Sequence, residues 1–158
     1  MTTAPVAVTV RTVAAESIAA VRRRVQRSEI ATAWKPALDL VWEFLRRHPG
    51  LHGGGHNVFL YHHPQNMDAA MDIDFGVQVT RPFAPEGEVR FVQTPAGEAA
   101  TAKHVGPYSG MRATHDAIHA WRQANDASFA GASWELYGDW SADESRLETD
   151  IFYLLAQR

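Results

Sequence analysis

The sequence predicts an α+β fold of two tandem β-α-β-β modules, with antiparallel sheets, two main helices and a cleft at the pseudo-two-fold seam. Three observations predict it. The second half of the chain rewrites the first: Leu60-Tyr61 and the Asp74 of DIDFGVQV recur as Leu136-Tyr137 and the Asp150 of ETDIFYLL, at a constant shift of 76 positions. That shift also lays Met111, Ile118 and Trp121 over Lys35, Trp42 and Leu45; upstream it becomes 81, laying TVAAESIAAVRRRV (12–25) against QTPAGEAATAKHVG (93–106). Each half carries one stretch with apolar residues at three-and-four spacing, and its other apolar runs alternate at period two. A unit of roughly 75 residues used twice implies an internal two-fold, and the seam between copies is a natural place for a pocket.

In chain order, Val6, Val8 and Val10 alternate with Ala7, Thr9 and Arg11, so residues 5–13 read as a strand. Residues 18–24 suit a second extended piece, although AAESIAAVRRRV is also acceptable as helix; the counterpart EAATAKHVG, running into Gly106-Pro107, tips the reading to strand. Ile30, Trp34, Leu38, Val41, Trp42 and Leu45 define an amphipathic helix over 29–47. Pro36 fits only a first turn, so the helix proper is expected to begin near Trp34. Pro49-Gly50 ends it, and Gly53-Gly54-Gly55 makes a loop. Strands follow at 57–63 and 71–80, joined by the turn HPQNMD, and RPFAPEG (81–87) links the copies. The second copy repeats the order: strands at 88–94 and 98–104, a turn at Gly106-Pro107, a helix at 109–124 with Met111, His115, Ile118 and Trp121 on one stripe, then strands at 133–139 and 146–156 around DWSADESR. Each copy is β-β-α-β-β or, with its first two strands fused into one bent strand, β-α-β-β. The whole of 1–158 forms one domain, with repeat 1 over about 5–80 and repeat 2 over about 88–156.

Composition bounds the function. At 158 residues, 46% hydrophobic and 21% charged, the chain is an ordinary globular domain with room for a core. A net charge of −3 favours neither nucleic acid nor an anionic membrane, and the Arg22-Arg23-Arg24/Arg27 cluster reads as a solvated face. Zero cysteines exclude disulfides and thiolate chemistry and fit a cytoplasmic location. The N-terminus has no signal-peptide pattern, and no apolar run approaches the ~20 residues of a membrane span. His48/His52/His56 and His115/His119 have ligand-like spacing, but Pro49 and three glycines break the first set and the second lacks a third ligand, so no metal and no cofactor are expected. There is no nucleophile elbow and no phosphate loop.

Several segments resemble one known family. YHHPQN…DIDFGVQV, TPAGEAATAKHVGPYSGM and SWELYGDWSADESRLETDIFYLL occur in order and are similar to the signatures of gyrase-inhibitor-like (GyrI-like) effector-binding domains, within the superfamily that duplicates the SHS2 module. Leu154-Leu155 stands where the last signature often has a proline. The resemblance covers about the whole chain. It implies a bacterial domain that binds lipophilic, aromatic, often cationic compounds at the seam, in the manner of multidrug sensors. It also implies an alternative, a hydrolase of cyclopropane-bearing aromatic natural products. The glutamate of the closing signature matches Glu135, and its aromatic neighbours match Trp134 and Tyr137.

The residues themselves sharpen Glu135. Its equivalent in copy one is Phe59, so a carboxylate stands where the other module has a ring. Aromatic faces attract cations by roughly 0.5–2 kcal/mol each, and a carboxylate adds a charge-assisted contact. The competing reading is an outward strand residue with Trp134 and Leu136 inward. Trp34, Phe59, Tyr61, Tyr108, Trp134, Tyr137 and Trp140 are the expected ligand-stacking residues, whereas Trp42 and Trp121 read as core. In the hydrolase alternative, Glu135 with Tyr108 or Tyr137 would do acid–base work. The partner is then a small molecule, with no membrane and no direct nucleic-acid contact; a domain that inhibits a protein partner is the third class.

Overall fold

A computed structural model describes residues 6–66 and 69–157. The first residue of the expected leading strand, and the Met67-Asp68 end of the HPQNMD turn, lie outside them. The elements are β1 (Thr9–Val13), β2 (Ser17–Val25), α1 (Ile30–Arg47), β3 (Asn57–His62), β4 (Met71–Gln78), β5 (Arg90–Gln93), β6 (Gly97–Val105), α2 (Met111–Ala124), β7 (Phe129–Tyr137) and β8 (Glu148–Leu155). The fold is mixed α+β: eight antiparallel strands form one open sheet in the order β1-β6-β8-β7-β3-β4-β2-β5. The leading strands are separate from the second ones and exchanged. β1 pairs with β6 of the second half, and β5 pairs with β2 of the first.

Period-two alternation sorts each strand onto two faces. On one face lie Ala19, Val21, Phe59, Ile73, Phe75 and Val77 beneath α1, and Ala100, Ala102, Ile151 and Tyr153 beneath α2. The opposite, helix-free face buries Ile18, Ala20, Val58, Leu60, Trp134 and Phe152. Of the neighbouring aromatics on β8, Phe152 therefore belongs to the helix-free face and Tyr153 to the helix side.

Helix α1 buries Ala37, Leu38, Val41, Phe44 and Leu45, while α2 buries Met111, Thr114 and Ile118. The expectation that α1 begins near Trp34 is corrected: it begins at Ile30, after a 3-10 turn at Arg27–Glu29, with Pro36 inside. Pro36 and Thr32, the residue whose carbonyl the missing N–H would have met, are both exposed, so water can replace that bond. In the arginine cluster Arg22, Arg24 and Arg27 are exposed, in keeping with a solvated face, and acids on neighbouring elements partner it. Arg22 is bidentate on the fully buried Asp74, at 2.9 Å from each carboxylate oxygen, and Arg23 pairs with Glu88.

Candidate functional site

The seam is the β3–β7 pair, where Phe59 faces Glu135 and Tyr61 faces Ser133. Phe59 and Glu135 are each other's equivalents at the 76-residue shift, so the pseudo-two-fold axis passes between them. Both side chains lie on the helix side. Glu135 is 5% exposed.

Three donors converge on that carboxylate. The hydroxyls of Tyr61 and Tyr137 donate to Oε1 at 2.6 and 2.8 Å, and His115 Nε2–H donates to Oε2 at 2.8 Å. Tyr61 and Tyr137 are themselves equivalent at the same shift, so two symmetric phenols serve one asymmetric acceptor. His115 comes from α2, and its Nδ1 shares a hydrogen bond with the Tyr153 hydroxyl at 2.7 Å. Burial first, then the charge of Glu135, pushes Tyr61 and Tyr137 well above the usual phenol range, and pushes Tyr153 up to about 12. These phenols stay protonated and act as donors. With Oε1 occupied twice and Oε2 once, about one acceptor position remains, so charge more than hydrogen bonding is what the group still offers.

Rings surround the carboxylate. Tyr137 stands edge-on to Phe59 at 5.0 Å and to Tyr108 at 5.6 Å, and Phe59 contacts Trp34 at 6.1 Å. Trp34 and Tyr108 are 38% and 44% exposed and form the outer rings of this array. Local chemistry places Tyr108. Gly106 adopts φ +124, and the buried His104 bonds both the Pro107 carbonyl (2.8 Å) and the Thr114 hydroxyl (2.9 Å), bracing the turn into α2.

A second group of histidines lies beside the carboxylate. His63 bonds Ser133 Oγ at 2.6 Å and stacks on Tyr153, which His119 meets edge-on at 5.1 Å. Burial, then the positive charge of Arg27 and the neighbouring histidines, lowers His63 to about 4; burial and His115 lower His119. Among the described residues no group of three or more potential ligands is placed to hold a metal ion.

The structure thus brings together Trp34, Phe59, Tyr61, Tyr108, Glu135 and Tyr137. It separates Trp134, whose expected stacking role is corrected. Alternation puts it on the helix-free face, 4% exposed and stacked on Phe152 at 5.2 Å. Trp140 is 76% exposed in the loop after β7. Tyr108 packs on Tyr137 and has no hydrogen bond to Glu135 among the described residues, unlike Tyr61. Sequence reasoning missed His115, Tyr153 and His63 as neighbours of the carboxylate. Two signals were available: His115 sits on the inward stripe of its helix, and Tyr153 shares its face with Glu135.

The class of protein follows from the family match, a small-molecule-binding domain. The chain belongs to the family of GyrI-like small molecule binding domains, whose sequence model matches residues 7–155. No curated protein matches the sequence. Among solved structures it is similar to the EcmrR C-terminal domain (22% identity, TM-score 0.79, covering 97% of this chain and 99% of that one). In the complex of EcmrR with DNA it covers 98% of this chain but spans only 59% of the EcmrR chain, again at 22% identity and TM-score 0.79. It is also similar to SAV2435 bound to tetraphenylphosphonium (11% identity, TM-score 0.67, covering 95% and 94%) and to a hydrolase from Listeria innocua (12% identity, TM-score 0.60, covering 94% and 91%). These likenesses show the fold.

Proposed function

We propose that this domain binds bulky aromatic cations at the seam, with Glu135 as the anchoring charge and Trp34, Phe59, Tyr61, Tyr108 and Tyr137 as the stacking surface. The observation that carries the proposal is the nearly buried carboxylate at the pseudo-two-fold axis, ringed by aromatic side chains. Inside such a ring a cation gains from both the carboxylate and the ring faces. The relative that holds tetraphenylphosphonium lends support. The reading takes residues 1–158 as one domain with copies at about 5–80 and 88–156, working in the cytoplasm as a multidrug-type sensor or sequestering protein.

The test is a tryptophan-fluorescence titration with tetraphenylphosphonium and its uncharged counterpart triphenylphosphine oxide. Glu135→Gln is expected to weaken the phosphonium about tenfold or more while moving the oxide less than about twofold. Equal losses would sink the charge-anchor role.

One observation favours a second reading, hydrolysis of cyclopropane-bearing aromatic compounds: the continuous path Tyr153 hydroxyl, His115, Glu135, which can move a proton to or from a bound molecule. Incubation with such an alkylator followed by mass spectrometry of the hydrolysed product decides it. Turnover that persists in Glu135→Ala removes Glu135 from the chemistry.

A further inference from the structure

Away from the seam, the segment 81–86 that joins the halves runs beside the end of α1 and borders an open groove of about 500 Å³. Local bonds fix its walls. Thr80 N–H donates to the Leu51 carbonyl at 2.9 Å, and the Thr80 hydroxyl to the Gly50 carbonyl at 3.1 Å, tying the segment to the turn after α1. Its far end closes in a tight turn, with Glu86 and Val89 exchanging backbone bonds. Pro49, Pro82 and Pro85 line the space, so much of the wall has its φ angles preset.

The floor is aromatic. Phe44, 1% exposed, lies 4.9 Å from Phe83, and Phe83 lies edge-on to Phe91 at 5.8 Å. The rim is basic. Arg47 and His48 both engage Glu86, at 2.9 and 3.2 Å, and the Arg47 hydrogen bond holds the Glu86 carboxyl below its usual range, so that acid is ionised and already taken. Arg81 is the surplus. Its one recorded bond is to the Gly50 carbonyl at 3.5 Å, the outer limit of a hydrogen bond, and no carboxylate pairs with it among the described residues. A guanidinium carries five N–H donors in a fork that fits a carboxylate.

We propose that this groove is a second binding site, for an aromatic carboxylate whose ring lies against Phe83, backed by the buried Phe44, and whose anion is held by Arg81. It is opposite in charge preference to the seam and shares no lining residue with the Glu135 cluster. A volume of about 500 Å³ falls within the roughly 300–1,000 Å³ of small-molecule sites.

The probes are 2-naphthoate and its neutral analogue 2-naphthylmethanol, added to the intact protein and followed by amide chemical shifts and calorimetry. Naphthoate is expected to shift amides in 44–51 and 81–86 and to bind at least about tenfold tighter than the alcohol. Arg81→Gln, a change at an exposed position, is expected to weaken naphthoate about tenfold and leave the alcohol unchanged, whereas Glu135→Gln leaves both unchanged. Any of four results overturns the proposal: no shifts up to the solubility limit, shifts confined to the seam, equal affinity in Arg81→Gln, or a loss in Glu135→Gln. Failure here leaves the seam untouched, because the phosphonium titration reports on that site independently.

Discussion

The two halves share a scaffold and differ in what they bury. In the first, Phe75 and Phe59 pack edge-on at 4.9 Å beneath a helix that contributes Leu38, Val41 and Phe44. In the second, the position of Phe75 is taken by Ile151, that of Phe59 by Glu135, and the helix delivers His115 to the carboxylate. Asp39, which stands where His115 stands in the second copy, lies on the exposed side of α1 paired with Lys35. The same division runs through the sheet's acids. Asp74 is fully buried under Arg22 and His62, whereas its equivalent Asp150 is 38% exposed, 3.7 Å from Lys103. The first half is built for cohesion. The second gives up apolar contact for a polar interior, which a duplicated fold permits because its partner module still supplies a large core.

The sharpest way to break that comparison is to truncate the equivalent core positions. Phe75→Ala is expected to cost about 4 kcal/mol and Ile151→Ala about 3 kcal/mol, read by urea denaturation. A larger loss at Ile151 would reverse the assignment of cohesion to the first half. The acid pair comes next. Burial pushes the Asp74 carboxyl up, but hydrogen bonds from His62 and Arg22 outweigh it and hold the group at about 2, below its ordinary 3.8. A depressed folded value means stability that is fully present above 3.8 and lost as pH falls through about 2. Allowing for the solvent around Arg22, this amounts to roughly 1–2 kcal/mol. Asp74→Asn should therefore destabilise at pH 7, with the gap closing on acidification, while Asp150→Asn costs no more than about 0.5 kcal/mol at any pH. Denaturation midpoints across that range check both.

Smaller effects test the axis itself. Tyr61→Phe and Tyr137→Phe each delete one bond to the same oxygen, so both should lower stability by about 1 kcal/mol, with closely matching values in thermal unfolding. A marked inequality would mean that the two-fold does not extend to the environment of the carboxylate. Trp140→Ala, at an exposed loop position, should move stability by less than about 0.5 kcal/mol in the same assay.

The elements themselves were readable because their periodicities are local. The helix stripe from Ile30 to Leu45, the Pro-Gly stop at 49–50 and the RPFAPEG link all lie where the pattern puts them. Two things were not. Pro36 argued for a late helix start, because a propensity rule takes no account of a missing bond that falls on the solvent side. The exchange of β1 and β5 is a long-range pairing choice, which alternation within a strand does not encode. The site divides in the same way. Internal comparison singled out Glu135, since Phe59 marks its place. Trp134 was misplaced because adjacency in a strand means opposite faces, and Tyr153 was passed over although the same rule turns it toward the carboxylate. His115 needed tertiary packing to be seen: its stripe was evident, but which strand that stripe would meet was not.

The exchanged edge strands bear on synthesis. Residues 9–13 leave the ribosome well before their hydrogen-bonding partner, which spans 97–101. During translation that segment waits unpaired until residue 97 has been made, and β2 likewise waits for Arg90–Gln93 to cover its outer edge. Neither module can finish alone. The nascent polypeptide therefore carries open sheet edges until the second copy has begun to emerge, the interval in which a chaperone would find most to hold.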